Sequence, residues 1–556
     1  MKVFLFKTKL LSVFLALAFL GSFSFADEKT EKVDKLFAEW DSTVSPGAAL
    51  AIIQDGKIVY ERGYGMANLE HNVPITPTSV FRIGSTSKQF TASCIAILAL
   101  QGKLSLDDDI RKYIPELPKY EKPITVRHLI HHTSGIRDYL TIGSIAALTD
   151  NHFFTPEDTI ELLGRQRGLN FLPGEEHLYS NSGYFLMGVI VERVSGKSLH
   201  DFAQEHIFGP LGMKNTQFYD DHTRVVKNRA AGYSPTKEGF RIDMTTLDHV
   251  GDGGVFTTVE DLFLWDQAFY NYKLGKELME LIQTPGGLNN GEKLDYAFGL
   301  SITDYKGLKR VSHGGGFVGF RAQMARFPEQ KFTVICLANL GTINPSRLCM
   351  QVADIYLADK LKEPEKVAEK KVEPIALPRE ELEDKVGNYQ NEKTGSWVII
   401  FMKEDKLVLK AWGEEHVISP LSQTSFRALD APFDNSIDFL SDKKGLIRKA
   451  NLTIDGDEIN LRKAPGLKPL IPSQLKEYAG EYYNDELPVT YKLMIEKDAL
   501  VFKHKNAPKD ALKHMDRDKF TAGWFNIEFV RNKRKKITGF VLGAGRAANI
   551  KFVKNK

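Results

Sequence analysis

The sequence has few cysteines, little net charge and no long apolar segment beyond its N-terminus. Only Cys94, Cys336 and Cys349 occur among 556 residues, so a disulfide scaffold is not indicated, although a Cys336–Cys349 bridge stays open. The formal charge is +3, and no basic arm accompanies it, which argues against nucleic-acid binding. The hydrophobic content of 42% suffices for packed cores, and the length predicts more than one domain.

Residues 1–26 have the pattern of a signal peptide. Lys2, Lys7 and Lys9 form a basic start, 10–25 is apolar, and Ser24-Phe25-Ala26 has the small-x-small form of a cleavage site. The apolar run is shorter than the roughly 20 residues of a spanning helix, and no cysteine follows it for lipid attachment. We therefore expect export to the periplasm or the medium after cleavage, rather than a stable membrane anchor.

The stretch Ser85-Thr86-Ser87-Lys88 is the most informative part of the chain. It directly precedes an apolar run, 92–100, with helical spacing, so Ser85 and Lys88 would share one helix face. The positive end of the helix dipole favours a developing alkoxide at Ser85, and Lys88 is near enough to take the hydroxyl proton. A serine with a base one turn away can act as a nucleophile, whereas Ser-x-x-Lys alone is a common chance match.

Two further motifs raise the significance of this pair. Tyr179-Ser180-Asn181 follows the serine, and His313-Gly314-Gly315-Gly316 comes later in the chain. Glycines let a backbone approach a ligand closely. Structural alternatives exist for each motif: a core tyrosine with a satisfied hydroxyl, an asparagine in an ordinary turn, and a histidine at a strand end.

In this order, the three motifs resemble those of the penicillin-recognising serine hydrolases, which include class C β-lactamases, DD-peptidases, D-aminopeptidases and related esterases. Leu129–Ile136 resembles the family's LLxHTSGL segment, and Gly253–Thr258 resembles its GGLxST segment. The resemblance covers about residues 34–360. It implies an α+β fold of the β-lactamase/transpeptidase type, with an antiparallel sheet flanked by helices.

The resemblance also implies a role for each motif residue. Ser85 would form an acyl-enzyme, and Lys88 would accept its proton. Tyr179 would hydrogen-bond Ser85 or Lys88 and deliver a proton to the leaving group, and Asn181 would orient Lys88 and the substrate amide.

The third motif would bind the substrate. His313 would line the site opposite Tyr179 and touch the substrate carboxylate or the tyrosine hydroxyl, Gly315 would allow close backbone approach, and the Gly316 N–H would join that of Ser85 in an oxyanion hole. The β-lactamases usually carry Lys-Thr-Gly at this place. Because an imidazole binds a carboxylate less firmly than a permanent ammonium does, we do not expect efficient β-lactam hydrolysis.

The spacing of His128, His131 and His132 can place three metal ligands on one helix face. However, His132 belongs to the familial turn, and no glutamate completes a metalloprotease pattern. We expect neither a metal nor another cofactor.

The order of strands and helices predicts one catalytic domain over 27–362. A hairpin is expected over 47–65 around Asp55-Gly56, and a helix over 345–361 closes the domain. The predicted segments between them are helices near 156–164, 182–195, 198–205 and 258–271, then strands near 297–303, 309–313, 317–326 and 331–338. The first and last strands would share one sheet with helices on both sides.

A charged, Pro-containing linker is predicted at 363–379, followed by an internal repeat of about 90 residues. Leu382, Gly387 and Tyr389 match three later residues, Leu475, Gly480 and Tyr482. The repeat predicts two small antiparallel β domains, 380–466 and 467–556, which resemble the lipocalin-like domains of the D-aminopeptidase branch. They would shape access to the active site, or else form a tethered binding module. The basic run 531–536 is interpreted as a solvated hairpin turn rather than a binding patch.

The sequence thus predicts an exported serine hydrolase that acts through an acyl-enzyme on amide or ester bonds of small substrates, such as D-amino-acid amides, peptidoglycan-type peptides or esters. The alternative is a catalytically silent, penicillin-binding sensor. The expected partner is a small molecule. The oligomeric state stays open, a homodimer included.

Overall fold

The computed structural model describes residues 28–146, 148, 155–362, 374–411, 414–429, 435–454, 457–466, 470–504 and 509–555. The predicted signal peptide and most of the predicted linker lie outside these residues. The described chain forms two compact units. The first contains 28–136, 155–164 and 171–362, and the second contains 137–146, 165–170 and 374–555.

The helices are α1 (28–37), α2 (Lys88–Leu100), α3 (Val126–Ile130), α4 (Tyr139–Ile145), α5 (Pro156–Gly164), α6 (Asn181–Ser195), α7 (Leu199–Ala203), α8 (Gly209–Leu211), α9 (Val259–Asn271), α10 (Lys276–Leu281), α11 (Pro345–Tyr356), α12 (Arg379–Glu383) and α13 (Pro472–Leu475). The strands of the first unit are β1 (Ala48–Gln54), β2 (Lys57–Tyr64), β3 (Met66–Asn68), β4 (Val73–Pro74), β5 (Phe81–Arg82), β6 (Gln217–Phe218), β7 (Tyr233–Thr236), β8 (Gly239–Ile242), β9 (Val255–Thr257), β10 (Ser301–Tyr305), β11 (Leu308–Phe317), β12 (Phe320–Phe327) and β13 (Phe332–Ala338).

Six strands form the main sheet of the first unit, in the order β10-β11-β12-β13-β1-β2. All neighbouring pairs are antiparallel. The N-terminal hairpin joins the C-terminal strands through β13, where Ala48 lies opposite Ala338. Its turn is Asp55-Gly56, with φ of +50° and +76°, values that Asp and Gly tolerate better than other residues do. The predicted α+β fold is therefore confirmed.

Helices pack on both faces of this sheet. The helix α11 contacts β12 and β13, and α9 contacts β1 and β13. Because successive residues of a strand face opposite sides, β1 directs Leu50 and Ile52 into the core shared with Val352 of α11 and Phe37 of α1. These buried faces hold the sheet in place, so that β11 forms a rigid support for the third motif.

Several predicted elements have other bounds than expected: the strand near 297–303 is β10 (Ser301–Tyr305), and the helix near 198–205 is α7 (Leu199–Ala203). The predicted strand over 309–313 extends to Phe317, because Gly314, Gly315 and Gly316 all pair with β12. The predicted helix over 345–361 ends at Tyr356. The chain then turns, and the N–H of Lys362 donates to the carbonyl of Lys306 at 2.9 Å.

The strands of the second unit are β14 (Gly387–Asn391), β15 (Trp397–Lys403), β16 (Lys406–Ala411), β17 (Glu414–Pro420), β18 (Ser425–Arg427), β19 (Asn435–Ser441), β20 (Ile447–Ile454), β21 (Asp457–Lys463), β22 (Gly480–Asn484), β23 (Val489–Glu496), β24 (Ala499–His504), β25 (Asp510–Ala511), β26 (Lys513–Asp516), β27 (Lys519–Ala522), β28 (Phe525–Arg531), β29 (Ile537–Ala544) and β30 (Ala547–Lys554). Strands β14 to β21 close into an antiparallel barrel, and β22 to β30 form a nine-stranded, barrel-like sheet. The basic run after Arg531 is the turn between β28 and β29.

The internal repeat appears as the same contacts in both β domains. The Tyr389 hydroxyl donates to a backbone carbonyl four residues earlier at 2.8 Å, and the Tyr482 hydroxyl does the same at 2.7 Å. A lysine of the last strand lies over each ring, Lys463 at 5.6 Å and Lys554 at 5.5 Å from the ring centroid. The two β domains therefore pack their matched tyrosines in the same way, as the repeat in the sequence predicted.

The second unit also contains 137–146 and 165–170, which the sequence analysis places inside the catalytic domain. The Arg137 guanidinium is 2% exposed. It donates to the carbonyls of Ala548 (3.0 Å) and Asn549 (2.8 Å), and it pairs with Glu486. The Tyr491 hydroxyl donates to the carbonyl of Ile145 at 2.6 Å. Strands of the last β domain thus hold a segment that lies about 350 residues earlier in the chain.

No helix among the described residues is long and apolar enough to cross a membrane. All three cysteines are buried free thiols, so the Cys336–Cys349 bridge is not formed. Burial raises the pKa of each thiol, which suits a packing role rather than reactivity.

Candidate active site

The Ser85–Lys88 pair lies where a short helical turn enters α2. Residues Gly84–Ser87 form a 3-10 turn, and Lys88 begins α2. The Nζ of Lys88 lies 3.1 Å from the Oγ of Ser85. Ser85 is half-buried, whereas Lys88 is fully buried. A substrate can therefore reach the Ser85 hydroxyl, whereas the Lys88 amine is enclosed by protein.

Lys88 contacts two further oxygen atoms. Its Nζ donates to Oδ1 of Asn181 at 2.9 Å and to the backbone carbonyl of Asp252 at 2.5 Å. Together with the Ser85 Oγ, these two acceptors surround Nζ and hold it within proton-transfer distance of the Ser85 hydroxyl.

The Asp252 carbonyl was missed by the sequence analysis. It lies directly before the Gly253–Thr258 segment that carries the family resemblance. Because every residue has a backbone carbonyl, the residue type at position 252 does not indicate this contact. Only the position of Asp252 next to that segment does.

Glycines bring β11 against the turn that carries the serine. A Cβ on Gly315 would lie 1.9 Å from the carbonyl oxygen of Ile83, and a Cβ on Gly84 would lie 2.7 Å from the backbone nitrogen of Gly316. Neither position has room for a side chain. Gly84 also has φ of +49°, which favours glycine. The Gly316 N–H therefore lies beside the turn that carries Ser85, as an oxyanion hole requires.

His313 is buried beside Lys88 and is held by two hydrogen bonds. Its Nδ1 lies 2.6 Å from the carbonyl oxygen of Gly314, and its Nε2 lies 2.9 Å from the hydroxyl of Tyr296. Burial, with a smaller contribution from the Lys88 charge, lowers its pKa to about 4. The neutral ring therefore donates from Nδ1 and accepts the Tyr296 hydroxyl at Nε2.

The motif resemblance predicts that His313 touches a substrate carboxylate or the hydroxyl of Tyr179. The hydroxyl that it contacts belongs to Tyr296, while the Tyr179 and His313 ring centroids are 6.3 Å apart. No motif surrounds Tyr296, so nothing in the sequence marked it.

Aromatic rings surround the lysine. Its Nζ lies 4.8 Å from the ring centroid of Tyr179 and 5.5 Å from that of Tyr184. The Tyr179 ring packs on His132, with centroids 4.2 Å apart. The structure thus places Ser85, Tyr179 and Asn181 around Lys88.

The three histidines considered as metal ligands each use Nδ1 within the protein. His128 accepts from the N–H of Thr125 at 3.1 Å, His131 contacts the carbonyl of Tyr296 at 3.2 Å, and His132 accepts from the N–H of Ser180 at 3.2 Å. Within the part of the chain that the structure describes, no group of three or more His, Cys, Asp or Glu residues could hold a metal ion.

A half-buried serine, a buried lysine and an asparagine on this α+β scaffold define a serine hydrolase of the β-lactamase type. Residues 33–351 match the family described as Beta-lactamase. The match spans more than half of the chain, so the protein belongs to that family.

Individual relatives agree with this assignment. Penicillin-binding protein 4* of Bacillus subtilis (strain 168) is 32% identical over 407 residues, which cover 68% of this chain and 87% of that protein. A D-aminopeptidase of Gluconobacter oxydans (strain 621H) is 29% identical over 297 residues, covering 53% of this chain and 56% of that protein. The chain therefore spans about half the length of that D-aminopeptidase.

Among solved structures, the octameric penicillin-binding protein homologue from Pyrococcus abyssi superimposes with a TM-score of 0.53 at 28% identity. The match covers 79% of this chain and 99% of that one.

Proposed function

We propose that this protein is an exported serine hydrolase that cleaves amide or ester bonds of small D-amino-acid-type substrates through an acyl-enzyme. The observation that carries the proposal is the buried Lys88 amine, which lies 3.1 Å from the Ser85 hydroxyl with Asn181 and Asp252 as its other partners. Export rests on the signal-peptide pattern of residues 1–26.

In the proposed reaction, the Ser85 hydroxyl proton passes to Lys88 while Oγ attacks the substrate carbonyl carbon. The N–H groups of Ser85 and Gly316 stabilise the oxyanion. The bond to the leaving nitrogen or oxygen then breaks, and Tyr179 supplies the proton that the leaving group takes up. Lys88 returns a proton to Tyr179, and water hydrolyses the acyl-enzyme by the reverse sequence.

The state of His313 supports substrates without a free carboxylate near this residue. A ring with a pKa of about 4 is uncharged at neutral pH, and both of its nitrogens contact protein groups. It therefore offers no fixed positive charge to an anion. D-amino-acid amides and neutral esters fit this site better than carboxylate-bearing β-lactams do, and the D-aminopeptidase relative supports the same substrate class.

A hydrolysis panel tests the proposal. Purified protein lacking residues 1–26 is assayed with D- and L-alanine amide, D-Ala-D-Ala peptides, short-chain esters and nitrocefin, beside its Ser85→Ala variant. We expect turnover of D-amides or esters that disappears in Ser85→Ala with an unchanged melting temperature. Stable labelling by a fluorophosphonate probe without any turnover would instead identify a sensor. N-terminal sequencing of protein recovered outside the cytoplasm tests export, with Asp27 as the expected first residue.

A further inference from the structure

His132 holds the backbone on both sides of Tyr179. Its carbonyl accepts the N–H of Leu178 at 3.0 Å, and its Nδ1 accepts the N–H of Ser180 at 3.2 Å. The residue is 1% exposed, so water does not compete for these bonds. One histidine thus fixes the residues that precede and follow the proposed proton donor.

The His132 side chain also fixes the tyrosine ring itself. Its ring centroid lies 4.2 Å from that of Tyr179, closer than to Tyr296 (4.8 Å) or Tyr184 (5.0 Å). The backbone of His132 has φ of +56°, a conformation that is uncommon outside glycine and that concentrates at functional sites. In this conformation, the carbonyl and the ring of His132 contact the same short segment.

Tyr179 needs such support more than the other motif residues do. Ser85 and Lys88 lie on consecutive helical turns, and Asn181 begins α6. Tyr179 lies in 176–180, which has no helix or strand. Without the hydrogen-bond ladder of a regular element, its position depends on contacts from elsewhere in the chain, and His132 supplies two hydrogen bonds and a ring contact.

We propose that His132 is a positioning residue that holds Tyr179 where it delivers the proton to the leaving group. The inference rests on the proposed function, because it requires acyl transfer from Ser85. The proposed role differs from the structural role that His132 has in its turn. It predicts that loss of His132 impairs protonation of the leaving group rather than the attack by the serine.

The test compares the amide and the p-nitrophenyl ester of one D-amino acid. An amine must be protonated as it leaves, whereas p-nitrophenolate leaves without a proton. His132→Ala removes the ring and the Ser180 acceptor together. His132→Asn can keep an acceptor for that N–H and tolerates positive φ, but it lacks the ring. We expect the amide-to-ester ratio of kcat/KM to fall by about 10-fold or more in His132→Ala, within the range for loss of general-acid help, and by less in His132→Asn.

His131→Asn is the matched control, because His131 is a buried neighbour that contacts the Tyr296 carbonyl. Its ratio should equal that of the wild type. In a double-mutant cycle with Tyr179→Phe, the His132 and Tyr179 effects on the ratio should be non-additive.

A wild-type ratio in either folded His132 variant, or additive effects in the cycle, would overturn the inference. These outcomes differ from failure of the proposed function, in which Ser85→Ala would keep wild-type turnover of both substrates. If His132→Ala does not fold, the amide-to-ester ratio of kcat/KM in His132→Asn still tests the inference.

Discussion

The hydroxyl of Tyr296 lies 2.9 Å from Nε2 of His313. Because the Nδ1 of the same ring contacts the Gly314 carbonyl, the imidazole is held in one tautomer and its lowered pKa keeps it uncharged at neutral pH. A lysine at this position would bring a permanent charge instead. The uncharged His313 ring therefore offers no fixed positive charge at this position.

Substitution of His313 by lysine should change which substrates are preferred. A fixed ammonium attracts an anion that the neutral ring does not, so kcat/KM for nitrocefin should rise relative to that for a neutral ester. The measurement is the ratio of the two values in the wild type and in His313→Lys. Tyr296→Phe is the control, since it frees Nε2 without adding charge and should leave this ratio unaltered. An equal ratio in His313→Lys and the wild type would show that residue 313 does not face the substrate.

Substitution of Gly315 by alanine should reduce both activity and stability. The new Cβ would lie 1.9 Å from the Ile83 carbonyl, so β11 must move away from the serine turn. Overpacking of this kind costs about 1–3 kcal/mol, and the displaced Gly316 N–H should lower kcat. Urea unfolding and steady-state kinetics measure the two effects. Gly143→Ala is the control, because its Cβ would meet no atom within 4 Å. Wild-type kcat in Gly315→Ala would contradict the close approach.

The free energy of unfolding should decrease as the pH falls from about 6.5 to about 4. Burial lowers the pKa of His131, His249 and His313, each to about 4, whereas an unfolded histidine titrates near 6.5. Between these values the unfolded chain binds more protons than the folded chain does, so acid favours unfolding. Urea midpoints across this range measure the slope. His131→Asn, whose amide can still donate to the Tyr296 carbonyl, should have a shallower slope, and an identical slope would argue against its neutral burial.

Glu486 should contribute far more to stability than its neighbour Asp485. Glu486 pairs with Arg137, which is 2% exposed, whereas Asp485 pairs with Arg167, and both of those side chains are more than half exposed. Removing one partner of a buried pair costs about 3–5 kcal/mol, while an exposed pair is worth at most about 1 kcal/mol. Glu486→Ala should therefore lower the melting temperature clearly, and Asp485→Ala should hardly change it. Equal effects would mean that the Arg137 contact does not stabilise the fold.

Local spacing made much of this protein predictable from its sequence. Ser85 and Lys88 are three residues apart, so a single helical turn brings them together wherever the helix lies. The Asp55-Gly56 hairpin is local in the same way, and so are the hydrogen bonds of the Tyr389 and Tyr482 hydroxyls, each of which reaches a carbonyl four residues earlier.

The remaining contacts depend on long-range folding. The Asp252 carbonyl reaches Lys88 across 164 residues, and Ser180 reaches His132 across 48. Tyr296 has no motif around it, and the position of Arg137 among strands of the last β domain depends on partners about 400 residues away. Such contacts involve backbone atoms or common residue types, which leave no pattern in a single sequence. They exist only once the chain has packed, because packing brings distant segments to the same place.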